Sequence, residues 1–211
     1  MSNKDQIYLE KAFRVFREEG LRLTIDEVAD RMGVTKKTLY NHFGSKDELV
    51  SAVLRFFIDD LTSRLSIMKS SEVNAVEGFV RGVQEFVVYF QSLCATFLKE
   101  MQKFYPEAWD LGDSSGFGLL SESMAANYEK GIGEGLYQDD LNSRLIGQYF
   151  IFSMIEFLHV KVVNSNEYNI REYFRDIVVY HLRGISSSKG REVLAGLMQR
   201  EAAHPKGGIL Y

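Results

Sequence analysis

Proline occurs only twice in the 211-residue chain, at Pro106 and Pro205, so long stretches carry nothing that breaks a helical hydrogen-bond ladder. Strong helix formers fill those stretches, and apolar residues recur at helical rather than strand spacing. The expected fold class is all-α. With 45% hydrophobic and 26% charged residues, the composition is that of a globular protein with a real core. The single cysteine, Cys94, excludes an intrachain disulfide and a cysteine-based zinc site, and suits a reducing cytoplasm. The opening Met1-Ser2-Asn3-Lys4-Asp5 has no leader character, so a cytoplasmic location is expected. The most apolar stretch, Tyr149 to Val163, is interrupted by Glu156, His159 and Lys161. It falls short of the ~18 uncharged residues of a membrane span, so no membrane partner is expected.

Ile7, Leu9, Ala12, Phe13 and Phe16 predict a first helix over residues 4–19, stopped by Gly20. Thr24-Ile25-Asp26-Glu27 has the form of a capping box and opens a short second helix, which Gly33 ends by turning the chain sharply. Thr35 caps a third helix. Gly44 then stops it, and Ser45 with Glu48 forms a second box that opens a long fourth helix. Leu49, Val50, Val53, Leu54, Phe57, Ile58, Leu61 and Leu65 keep helical spacing along that helix, as suits a connector between domains. The domain division expected is 1–48, then 49–188 with the connector at about 46–68, then an extra helix and flexible tail over 189–211. Further helices are expected near 73–91, 93–104, 117–134, 141–163, 169–187 and 189–203, with Tyr105 to Gly116 irregular.

Residues 24–43 thus form two short helices joined by a tight turn, the pattern of a helix-turn-helix. Val28, Met32, Val34, Leu39 and Phe43 can pack inward against Ala12, Phe13 and Phe16. Lys36, Lys37, Thr38, Tyr40, Asn41 and His42 are then left to project from the third helix. The formal charge is -4, which disfavours a nucleic-acid partner in sum, yet residues 31–46 hold Arg31, Lys36, Lys37 and Lys46 with no acid among them.

The run Leu23-Thr24-Ile25-Asp26-Glu27-Val28-Ala29, then Gly33-Val34, then Thr38-Leu39-Tyr40-Asn41-His42-Phe43-Gly44-Ser45-Lys46-Asp47-Glu48-Leu49 resembles the DNA-binding domain of the tetracycline-repressor-like (TetR) family. The resemblance covers about residues 5–55. It implies a ligand-responsive transcriptional regulator: an N-terminal helix-turn-helix domain followed by a larger helical domain that binds an effector and dimerises. Repression of a palindromic operator is the family's common mode. Carried over by residue, it implies that Tyr40 and His42 donate to phosphates and that Lys46 does likewise from the first turn of the fourth helix. For Thr24 a phosphate contact and a simple cap are both open. Lys36, Lys37, Thr38 and Asn41 are candidates for base-edge readout, and Thr35, which caps the reading helix, joins the DNA-contacting set.

Phe86, Phe90, Phe97, Met101, Phe104, Trp109, Met124 and Tyr128 make the middle of the chain rich in aromatic and methionine residues. They are candidates for a small-molecule effector pocket, with packed core the alternative. Phe150, Phe157, Phe174, Val178 and His181 recur at helical spacing on the two helices that the resemblance assigns to a homodimer interface, completion of the monomer's own core being the other reading. Two alternatives of different class stand beside this reading. A helical enzyme holding magnesium would need a third carboxylate near Asp59-Asp60 or Asp139-Asp140, and Ser63 and Ser143 stand there instead. The four histidines show no metal-ligand spacing, and no cofactor or metal is expected. A helical dimer that binds only a partner protein must account for Lys36, Lys37, Tyr40 and Lys46.

Overall fold

The computed structural model describes residues 3–106, 118–159 and 170–203. The order is α1 (Asn3–Glu19), α2 (Ile25–Met32), α3 (Lys36–Phe43), α4 (Lys46–Arg64), a 3₁₀ turn (Leu65–Lys69), α5 (Ala75–Gln91), α6 (Ala95–Phe104), α7 (Gly118–Gly133), α8 (Ser143–His159), α9 (Ile170–Ile185) and α10 (Ser188–Ala203). Among the described residues the only strand-like pairing is an isolated bridge between Tyr137 and Ser186. The fold class is all-α, with an N-terminal helix-turn-helix. The chain divides into two compact units. One takes the chain up to Leu61 with Tyr89 to the end of α6; the other takes Thr62–Val88 with the described residues from Gly118 on.

In the first unit, Phe16, Phe57 and Phe97 are fully buried, each worth roughly 1.5–3 kcal/mol of hydrophobic stabilisation. Phe57 stacks on Tyr89 with ring centroids 5.5 Å apart and meets Phe97 edge-on at 5.8 Å. Phe13 of α1 joins them, 6.2 Å from Phe97. α6 therefore packs with α1 and α4. Its first turn is closed by Cys94, whose Sγ accepts from the Phe97 N–H at 3.3 Å, so this cysteine serves as a helix cap.

In the second unit, the connector helix tightens into the 3₁₀ turn after Arg64. A 3₁₀ turn places i and i+3 on the same side, and Leu65 and Met68 are both fully buried. α5 meets this turn at Gly78, where a Cβ would sit 3.1 Å from the Ile67 carbonyl oxygen, and at Gly82, where it would overlap the Met68 side chain. The buried Asn127 amide of α7 donates to the Met68 carbonyl at 2.7 Å and to the Ala75 carbonyl at 3.0 Å, and its Oδ1 accepts from the Tyr137 hydroxyl at 3.2 Å. α10 docks on the same unit. Ser187 Oγ donates to the Gly135 carbonyl at 2.7 Å and accepts from the Gly190 N–H at 3.1 Å, while Leu194 and Leu197 are buried.

Candidate nucleic-acid interface

The capping box at Thr24 is complete: its hydroxyl oxygen accepts from the Glu27 N–H, and the Glu27 carboxylate accepts from the Thr24 N–H at 2.7 Å. The Thr24 N–H, and after it the Thr24 hydroxyl donating to the same carboxylate at 2.7 Å, hold the Glu27 carboxyl below its ordinary pKa. α2 ends at Gly33, in the left-handed conformation at φ 68° and ψ 36°. α3 begins under Thr35, whose hydroxyl accepts from the Thr38 N–H at 3.1 Å and also lies 2.8 Å from the Thr38 hydroxyl. The second box, at α4, is half formed. Ser45 Oγ accepts from the Glu48 N–H at 3.1 Å, but the Ser45 N–H goes to the Phe43 carbonyl at 2.7 Å instead of to the Glu48 carboxylate.

α3 therefore has a fixed orientation. Leu39 and Phe43 are buried beneath it; Lys36, Lys37, Tyr40 and Asn41 fall together on the exposed side; Thr38 and His42 lie half-buried on its shoulder. Tyr40 keeps 42% exposure, unusual for a tyrosine with apolar neighbours to cover it. Lys46, half-buried, opens α4, whose first N–H groups and positive dipole end favour an anion.

The charge pattern is subtler than the window 31–46 suggests. Arg31 bonds Glu19 at 2.6 Å and Lys36 bonds the Asp26 carboxylate at 2.8 Å, both partners lying outside that window. Each hydrogen bond raises its cation's pKa above the ordinary value. Lys37 and Lys46 make no ion pair with any described residue. The sequence count also missed two carboxylates brought in from a distance. Asp5 of α1 lies 2.6 Å from Nδ1 of His42, and the Glu100 carboxylate of α6 accepts from the N–H groups of Leu21 and Arg22 at 2.6 and 3.1 Å. Separations of 37 and about 79 residues leave no local signal for either.

The remaining candidates fall in different places. Phe90, Phe97 and Met101 are buried in the first unit, and Phe86, Met124 and Tyr128 in the second. Phe104 is 47% exposed and lines a surface depression of about 540 Å³ with Leu21, Arg22, Lys46, Asp47, Ser51 and Tyr105. Trp109 and the Phe157 side chain lie outside the described residues. Phe150, Phe174, Val178 and His181 are buried, and His181 packs against Phe79 and Phe150 of its own unit. Among the described residues, the large apolar groups that α8 and α9 expose are Leu145, Tyr149, Phe152 and Tyr180. Among the described residues no group of three His, Cys, Asp or Glu side chains is placed to hold a metal, and no helix is long and apolar enough to cross a membrane.

A capped two-helix unit that seats a polar, lysine-bearing helix face on a buried apolar one is a helix-turn-helix DNA-binding domain. Residues 9–53 match the family described as bacterial regulatory proteins, tetR family. The chain is 29% identical over 149 residues to the HTH-type transcriptional repressor KstR2 of Mycobacterium tuberculosis, covering 67% of this chain and 72% of that relative. It is 28% identical over 106 residues to the uncharacterized HTH-type transcriptional regulator YvaF of Bacillus subtilis, covering 50% of this chain but only 56% of YvaF. The fold is shared with SmeT, the repressor of the Stenotrophomonas maltophilia multidrug efflux pump SmeDEF, at a TM-score of 0.69 and 15% identity, over 87% of this chain and 91% of SmeT.

Proposed function

We propose that this chain is a cytoplasmic, ligand-responsive transcriptional regulator, a homodimer that represses from a palindromic operator and is released by a small-molecule effector. The observation that carries the DNA-binding part is the exposed Lys36, Lys37, Tyr40 and Asn41 side of α3, held in place by buried Leu39 and Phe43 within the family-matched segment. On this reading Tyr40, His42 and Lys46 hold phosphates, with Thr24 and Thr35 at the helix ends beside them, while Lys36, Lys37, Thr38 and Asn41 meet base edges. The protein acts by binding rather than by catalysis. Repression is supported by the function named for KstR2 and SmeT.

The dimer reading stays with α8 and α9 and draws on the apolar residues they expose. Leu145, Tyr149 and Phe152 stand at i, i+4 and i+7 along α8 with exposures of 62%, 65% and 51%, and Tyr180 of α9 is 79% exposed. A second copy covering that stripe would remove it from water and set two reading helices roughly 34–36 Å apart, one turn of duplex. Effector binding belongs to the helical region beyond α4, whose buried aromatic and methionine side chains suit an apolar ligand.

Electrophoretic retardation of genomic fragments at low salt tests the reading. Retardation by the wild type that weakens sharply in Tyr40→Ala/Lys46→Ala supports it. A folded dimer that retards no fragment contradicts it and favours a protein partner instead.

A further inference from the structure

We propose that Asp5 is a positioning residue that makes His42 a proton-coupled phosphate clamp, so that the chain takes up protons when it binds DNA; this rests on the phosphate contact given to His42 above. Asp5 lies in the first turns of α1, and its Oδ1 is 2.6 Å from His42 Nδ1. Tyr8 of the same helix flanks the ring, with centroids 4.7 Å apart. Side-chain exposures of 22% for His42 and 25% for Asp5 leave the pair anchored by protein yet within reach of solvent.

A carboxylate is an acceptor only, so Nδ1 carries the ring proton toward Asp5. A neutral imidazole has one such proton, and Nε2, which bonds no described residue, then presents a lone pair. Phosphate oxygens are acceptors too, and two lone pairs face to face do not bind. Nε2 becomes a donor only by taking a proton from solvent. The imidazolium then sits between two anions, Asp5 on one side and the phosphate on the other, with a charge-assisted hydrogen bond to each. No other bond forms or breaks. The titratable groups that α1 brings to the ring are Asp5 and Tyr8. The following helix opens with Lys46, Asp47 and Glu48, none of which shares a described hydrogen bond with the ring, so the Asp5 carboxylate is the anion bonded directly to it.

The experiment is titration of the full chain with a mixed-sequence duplex at low salt, where phosphate contacts hold the complex, from about pH 6 to about pH 8. Calorimetry in two buffers of different ionisation heat counts the protons. Wild-type affinity is expected to fall as pH rises, by up to ~tenfold per pH unit for each proton taken up. His42→Gln, whose amide donates without protonation, keeps binding but loses the uptake attributable to the ring. Asp5→Asn, which removes one of the two anions, lowers the uptake and weakens binding at the acid end, with circular dichroism confirming the fold. Intact wild-type binding with equal heats in both buffers overturns the proposal alone, as does an uptake undiminished in either variant. Absence of binding at every pH overturns the DNA-binding reading, and this proposal with it.

Discussion

The hydroxyl of Tyr128 on α7 and Nε2 of His181 on α9 share a hydrogen bond, and the imidazole stacks on Phe79 with ring centroids 5.3 Å apart and planes 15° from parallel. Burial lowers the His181 pKa to about 4 and pushes the Tyr128 hydroxyl well above its ordinary value. Both shifts favour the uncharged pair.

Folding stability should therefore depend on pH through His181. Its folded value is below the unfolded value near 6.5, so the unfolded chain binds more protons between those two values. The contribution is complete above about pH 6.5 and is lost as pH falls toward 4, on the order of 3 kcal/mol in all. Chemical denaturation of wild type and His181→Gln at matched protein concentration checks this: the difference between them should shrink on acidification. A difference constant with pH would mean that His181 titrates normally in the folded chain.

Removing only the hydroxyl, in Tyr128→Phe, leaves the buried Nε2 without its hydrogen-bond partner. The expected cost is about 1–3 kcal/mol at neutral pH, read from the denaturant midpoint with the slope unchanged.

Asn127→Leu should cost more than an ordinary core swap of similar volume. It strips the Met68 and Ala75 carbonyls and the Tyr137 hydroxyl of a shared partner, for roughly 3 kcal/mol, again measured by equilibrium denaturation.

The two adjacent lysines of α3 should differ in their response to DNA. Lys36 is tied to Asp26, whereas Lys37 has no described ion-pair partner. Lys37→Ala should cost about 1–3 kcal/mol of binding to the preferred sequence and relax the base preference at the position it reads. Asp26→Asn, by releasing Lys36, should strengthen low-salt binding. Weaker binding by Asp26→Asn would mean that the pair positions Lys36 rather than restraining it.

Glu100→Ala should loosen the entrance to the helix-turn-helix, because the N–H groups of Leu21 and Arg22 lose their acceptor. Faster amide exchange confined to those two residues, with α1 and α6 still protected, is the expected result. Glu100→Gln should restore part of the protection.

Local sequence logic reached far into this fold. Thr24 with Glu27, Gly33, Thr35 and Gly44 fix the ends of α2 and α3 through bonds spanning at most a few residues, so a single pass along the chain finds them. The periodic apolar positions marked Leu39, Phe43, Leu49 and Val53 as buried for the same reason. What stayed hidden depends on residues far apart in sequence. Nothing near His42 announces Asp5, and nothing near Lys36 or Arg31 shows that Asp26 and Glu19 sit beside them in space. Periodicity also cannot tell which of two adjacent apolar stripes faces the chain's own core. On α8 it marked Phe150, which is buried, and passed over Phe152, which is exposed.

The central claim is sequence-specific recognition by α3 in a twofold dimer. Selection of bound sequences from a random duplex library at moderate salt, with wild type and Tyr40→Ala/Lys46→Ala in parallel, tests it most directly. The expected result is a palindrome with half-sites one helical turn or a multiple apart, enriched by the wild type and not by the double variant. Enrichment of nothing by a folded, dimeric wild-type protein would contradict it.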